Sequence, residues 1–198
     1  MLPQEFLHLS TMLPFSVDHH PPLHRHAPEG GVAIYTVPME GQDRTPRLFL
    51  DNKGASEGAD FSRDMRFVTY LSNESGRREI YIRPYPGPGG QATVSVGGGR
   101  EPRWLPNGDV FYRSLNGDRM FAVSAATAPQ LKIGPPVELF EGPFYIAPTG
   151  SPRPQYDVTA DGQRFLILTQ GADASADRVT VVVVQNWLEE LKRLVPVN

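Results

Sequence analysis

From residue 31 to residue 184 the apolar positions fall into short runs of four to six, separated by clusters of Gly, Pro, Asn, Asp and Ser. Several runs alternate strictly with polar residues. In Glu79-Ile80-Tyr81-Ile82-Arg83, alternation places Ile80 and Ile82 on one face, as a half-buried strand requires. The intervening stretches Asn73-Glu74-Ser75-Gly76 and Pro86-Gly87-Pro88-Gly89-Gly90 carry turn chemistry. The pattern predicts strands at 59–63, 67–72, 79–83 and 92–96, then at 102–105, 110–114, 120–123 and 137–140. A last group falls at 155–159, 164–169 and 179–184, and an earlier pair at 32–37 and 47–50 stands without inner companions. Only one segment changes period. Trp187, Leu188, Leu191 and Leu194 make one apolar face of a short helix over 186–195, which Asn186 caps. Glu189 and Glu190 sit in its first turn and Lys192 and Arg193 near its end, matching the helix dipole.

The strand groups repeat. Phe61-Ser62-Arg63-Asp64-Met65-Arg66-Phe67 returns as Trp104-Leu105-Pro106-Asn107-Gly108-Asp109-Val110, and again as Val158-Thr159-Ala160-Asp161-Gly162-Gln163-Arg164-Phe165. The first two copies begin 43 residues apart, and repeats of about 40–45 residues with several short strands each are the signature of propeller blades. The third copy follows after a longer interval, so an insertion separates it from the second. The fold class expected is all-β: a partial β-propeller of three to four four-stranded blades with a short C-terminal helix packed as a clasp on the last blade. Residues 1–30 hold all five histidines and several prolines without periodicity, and read as a flexible arm ahead of a propeller segment at 31–198. Complete propellers have about 4–8 blades, and an open ring leaves strand edges that invite association. Either the chain belongs to a longer protein, or self-association with another copy completes the ring.

Composition narrows the function classes. At 39% hydrophobic and 21% charged residues the chain is expected to be soluble and globular. A net charge of −3 gives no general pull towards nucleic acid or acidic lipid. No cysteine is present, which excludes disulfides, thiolate metal sites and cysteine nucleophiles. The start lacks a basic region ahead of an apolar stretch, and the apolar run at 179–184 is too short to cross a bilayer. The chain is therefore expected to insert in no membrane, and to be cytoplasmic by default.

Phe61-Ser62-Arg63-Asp64, Ser72-Asn73-Glu74-Ser75-Gly76 and Ile80-Tyr81 resemble the TolB-like, WD-like propeller repeat. Arg83-Pro84-Tyr85-Pro86-Gly87, Gly97-Gly98-Gly99-Arg100-Glu101-Pro102-Arg103-Trp104 and Asn186-Trp187-Leu188-Glu189-Glu190-Leu191 are similar to C-terminal regions of bacterial multidomain proteins, many with a serine/threonine kinase domain ahead of the propeller. The resemblance covers about residues 32–195. It implies a binding propeller, here of a bacterial, kinase-associated kind. Met65 in place of the turn glycine, Arg63 and Ala160 in place of the proline, and Leu105 in place of the serine depart from the pattern.

Catalytic motifs are sparse. Gly54-Ala55-Ser56-Glu57-Gly58 matches G-x-S-x-G, but a strand follows instead of a helix, and no histidine lies beyond His26 to complete the order Ser, acid, His. It reads as an interblade loop. His19, His20, His24 and His26 lie among prolines, a setting for adventitious metal binding, and no metal or other cofactor is expected. The glycine groups at 87–90 and 97–99 lack the following helix of a phosphate loop and read as turns. What remains is the face formed by the loops at 51–58, 97–101 and 141–152. There Arg100, Glu101, Arg103 and Arg153 are the candidate binding residues, an arginine being able to grip a carboxylate or phosphate bidentately. Interblade ion pairs are the plainer role for them, and core packing for Trp104. The function expected is a non-enzymatic binding or sensory module for a protein or peptide. The alternatives are a propeller part of a larger kinase or peptidase, or a truncated gene product.

Overall fold

The computed structural model describes residues 22–26, 32–51, 54–147, 154–170 and 179–185. Within them the chain is all-β, folded as four consecutive antiparallel sheets. The first blade holds β1 (Pro22–His26), β2 (Val32–Thr36) and β3 (Arg47–Leu50) in that order. The second holds β4 (Ser56–Phe61), β5 (Phe67–Ser72), β6 (Glu79–Pro84) and β7 (Ala92–Thr93). The third holds β8 (Arg100–Trp104), β9 (Asp109–Arg113), β10 (Arg119–Ala126), β11 (Lys132–Ile133) and β12 (Val137–Glu141). The fourth holds β13 (Tyr156–Val158), β14 (Arg164–Gln170) and β15 (Val179–Gln185). This is the partial propeller that the repeat implies.

Two details differ from the sequence pattern. Residues 22–26, read as part of a flexible arm over 1–30, are strand β1, in five-pair register with β2; the rest of that arm lies outside the described residues. So does the helix expected over 186–195. The outer strand of the third blade is split, because β11 and β12 both pair with β10. Between them stands Gly134-Pro135-Pro136, and two successive residues without an N–H cannot continue a ladder.

The inner hairpin turns show why the repeat recurs. In the second blade the Ser62 Oγ donates to Asp64 Oδ1 at 2.7 Å, and the Phe67 N–H donates back to Ser62 Oγ at 3.0 Å. Thr159 and Asp161 rebuild the same turn in the fourth blade, with Gln163 N–H donating to Asp161 Oδ1 at 3.0 Å. The fourth turn position is left-handed in every copy: Met65 at φ 58, Gly108 at φ 96 and Gly162 at φ 71. Met65 therefore holds the glycine's conformation with a side chain, at a cost of about 1–2 kcal/mol. Leu105 replaces the hydroxyl in the third blade and is 4% exposed, so the position serves the core instead of the turn.

Asp64 also ties blades together, because Thr127 of the third blade donates to its Oδ2 at 2.7 Å. Burial pushes the carboxyl up, but hydrogen bonds from Thr127, Ser62 and the Arg66 N–H outweigh it and hold the pKa below the ordinary aspartate value. The stabilisation from a depressed carboxyl is present above the unfolded pKa of about 3.9 and is lost as pH falls through the folded value. Asp64→Asn is therefore expected to flatten the fall in stability below about pH 4, read from urea unfolding at pH 7, 4 and 3. An unchanged slope would show that Asp64 does not carry this linkage.

The apolar cores lie between sheets, not within them. Because side chains alternate along a strand, each blade faces its predecessor with one set and its successor with the other. Tyr70 and Tyr81 join Ile34 and Leu50 in the seam between the first and second blades. Leu71, Ile80 and Ile82 face the other way, onto Trp104, Val110, Tyr112 and Val123 of the third blade. Phe111 and Met120 then meet Tyr156, Phe165 and Ile167 of the fourth. Gly99 crosses the seam between the second and third blades so closely that a Cβ would lie 2.8 Å from Ile80 Cγ1 and 3.0 Å from Tyr112 Cδ2. Only glycine fits there without displacing the core.

Candidate functional site

The segment carrying the sequence-selected residues opens β8 with a bulge. Register with β9 shifts between Arg100 and Arg103, and Glu101 sits inside the shift at φ 57. The second blade carries the same device: register shifts between Glu57 and Asp60, with Gly58 at φ 64. A bulge re-aims the side chains beside it. Here it turns the Glu101 carboxylate into the seam with the fourth blade, where its side chain is 3% exposed.

Buried charge needs a partner, and Glu101 has one in Arg113, whose side chain is 0% exposed. The Arg113 Nη1 donates to Glu101 Oε2 at 3.2 Å and to the Tyr145 carbonyl at 3.1 Å. Its Nε and Nη2 both donate to the Gly117 carbonyl, the former at 3.0 Å. Across the seam the Gln155 N–H donates to Glu101 Oε2 at 2.9 Å. The Tyr156 hydroxyl shares its proton between the carbonyls of Glu101 at 2.9 Å and Phe111 at 3.2 Å. Burial drives that phenol's pKa far above its usual range, so it stays a neutral donor. Arg100 lies beside this knot, with Nε 3.2 Å from Glu101 Oε1.

Arg103 works on both neighbours at once. Its guanidinium reaches Asp157 of the fourth blade at 3.5 Å and Asp60 of the second at 3.9 Å. Asp60 also accepts the Trp104 N–H at 2.9 Å. The structure thus brings Arg100, Glu101 and Arg103 together as charges that fasten three blades, and Arg153 lies outside the described residues. Trp104, 6% exposed, belongs to the core. Ser56 opens β4 instead of a loop, fully buried, with its Oγ donating to Ser72 Oγ at 3.4 Å. That placement gives it no elbow geometry. Among the described residues no three His, Asp or Glu side chains gather as a metal site.

On the opposite rim of the same seam lies a groove of about 390 Å³. Phe111, Ala122 and Leu139 give it an apolar lining, while Asn107, Asp109, Ser124, Asp161 and Gln163 supply polar groups. Among the described residues, two carboxylates and no cation line it. Burial pushes the Asp109 carboxyl up, against an opposing hydrogen bond from Asn107, whose Nδ2 donates to Asp109 Oδ2 at 2.8 Å. The exposed Asp161 is held below the ordinary value by the Thr159 hydroxyl and the Gln163 N–H. The groove therefore presents an apolar wall with negative charge at its edge.

Blade order, interblade cores and repeated bulges can be compared with solved structures. A structure described as a putative TolB from Agrobacterium tumefaciens superposes with a TM-score of 0.58 at 17% identity, covering 84% of this chain and 57% of that one. The fold is that of a TolB-like β-propeller. TolB from Acinetobacter baumannii (15% identity, 78% of this chain and 46% of that one, TM-score 0.41) also matches. So does a putative 6-phosphogluconolactonase from Bacteroides uniformis (15%, 83% and 56%, TM-score 0.43). The fold assignment rests on the first of the three. The chain spans little more than half the length of that structure. No family model and no curated protein matches the chain. No helix among the described residues is long and apolar enough to cross a membrane.

Sequence reasoning missed Arg113 and Tyr156, the two groups that complete the Glu101 knot. A signal existed. Counted from the repeated Phe61 and Trp104, Arg113 stands where the preceding copy has Tyr70, so the repeat places a charge in a core position. A buried arginine demands a carboxylate nearby.

Proposed function

We propose that this propeller segment is a non-enzymatic binding or sensory module whose partner is a protein or peptide. The groove between the third and fourth blades takes a side chain with an apolar stem and a cationic head. One observation carries this reading: among the described residues the groove combines an apolar lining with Asp109 and Asp161 and no cation. Lysine and arginine fit that chemistry, since their methylene stems lie on apolar surface while the head stays polar. Arg100, Glu101 and Arg103 support the reading by holding the two walls of the groove in register. Loops and grooves, not the fold, carry such a function. A place within a kinase-type protein or a peptidase rests on residue resemblance, and no observation of the structure favours it.

Panning a random peptide library displayed on phage against the chain tests this. Enriched peptides are expected to carry Lys or Arg beside an apolar residue. Ser124→Trp, which fills the groove from an exposed position, is expected to weaken their binding at least tenfold without lowering the melting temperature. Enrichment of acidic peptides, or binding indifferent to Ser124→Trp, would overturn the assignment.

A further inference from the structure

The bulge that opens β8 leaves one arginine without a match. Arg100 Nε stands 3.2 Å from Glu101 Oε1, yet the two are poorly aligned and neither atom takes part in a hydrogen bond. The Arg100 side chain is only 12% exposed. Its two Nη atoms make no hydrogen bond among the described residues either, and unlike Nε they are not sealed from solvent. A nearly buried guanidinium with its donors unused is costly, because burial removes hydration and nothing replaces it. Buried polar groups in folded proteins have partners as a rule.

Charge points the same way. Arg100 and Arg113 flank a single carboxylate, that of Glu101. The neighbouring Arg103 is already engaged by Asp60 and Asp157. Asp118, in the turn after β9, takes the Ser114 hydroxyl at 2.7 Å. Among the described residues the knot is therefore one negative charge short. The preceding blade shows the balanced form. Counted back from Phe61 and Trp104, Glu57 holds the place of Arg100, beside the same kind of bulge. There Arg78 Nη2 donates to Glu57 Oε1 at 2.7 Å, and the pair is complete.

We propose that Arg100 binds a small carboxylate, its Nη fork closing on the two oxygens. A planar fork matches a carboxylate bidentately and suits chloride, a single sphere, less well. One monoanion balances the knot, whereas a phosphate dianion overshoots. With so little of the side chain exposed, the approach suits a free small molecule better than a side chain carried on a partner's surface. The site lies on the opposite rim of the seam from the groove and shares no lining residue with it, so either reading can fail alone.

Arginine side-chain NMR on the isotope-labelled chain tests this, with sodium acetate replacing sodium chloride at constant ionic strength. The Arg100 Nε–H resonance, assigned through bonds from its own backbone amide, is expected to shift saturably. Acetamide, of the same shape but uncharged, is expected to leave it in place. Arg100→Lys keeps the charge but loses the fork, and its acetate affinity, read at the Glu101 amide, is expected to fall about tenfold. Should that variant not fold, the comparison of acetate with acetamide on the native chain still decides. A shift that never saturates, an equal shift with acetamide, or unchanged affinity in Arg100→Lys would each overturn the proposal. So would sulfate binding more tightly than acetate, which would mark a site for a doubly charged oxyanion.

Discussion

Arg113→Met is expected to destabilise the chain by about 3–5 kcal/mol, the range for removing one partner of a buried ion pair. The size follows from what is left behind. Arg113 is fully buried and satisfies Glu101, the Gly117 carbonyl and the Tyr145 carbonyl together. Methionine fills much of the volume but takes away the fully buried cation, leaving the carboxylate with the Gln155 N–H and the partly exposed Arg100 beside it. Urea unfolding reads the loss. The double variant Arg113→Met with Glu101→Gln is expected to recover a large part of it, because no carboxylate then stays buried without its fully buried partner. If the double variant loses as much as the sum of the single ones, the pair is not the pin described here.

Phe165→Ala is expected to cost a similar 3–5 kcal/mol, for a different reason. Phe165 is 0% exposed. Its ring centroid lies 5.2 Å from that of Phe111, 5.1 Å from Phe140 and 6.4 Å from Tyr156. Truncation leaves a cavity among three rings fixed on different strands, which cannot all move in. Stability in repeat architectures is approximately a sum of units and nearest-neighbour interfaces. The loss therefore falls on the last seam, and calorimetry is expected to resolve the fourth blade melting before the others. A single transition shifted as a whole would mean that the blades are coupled more tightly than their seams imply.

Strand positions were legible because a period of two depends only on local sequence. The segment 67–72 is β5 as read. β4 begins three residues before the expected 59, because the bulge at Gly58 lets the strand continue through a residue of left-handed conformation. Pairing partners were less legible. Residues 22–26 lack apolar alternation, and what makes them a strand is the edge of β2, a non-local fact. The candidate site was half legible. Arg100, Glu101 and Arg103 were found as charges beside a glycine turn, but their partners Arg113, Asp60 and Asp157 come from other strands or blades. The groove depends on the Asp161 turn meeting β10 and β12, a juxtaposition that no sequence spacing encodes.

Phe111 and Tyr112 are joined by a peptide bond yet serve different cores. Phe111 and Phe165, 54 positions apart in the sequence, touch. Substitutions at neighbours along β9 are therefore expected to act on separate cores, and those at Phe111 and Phe165 on a shared one. A duplicated blade is for the same reason not a portable unit: one flank fits only the copy before it, and the other only the copy after it.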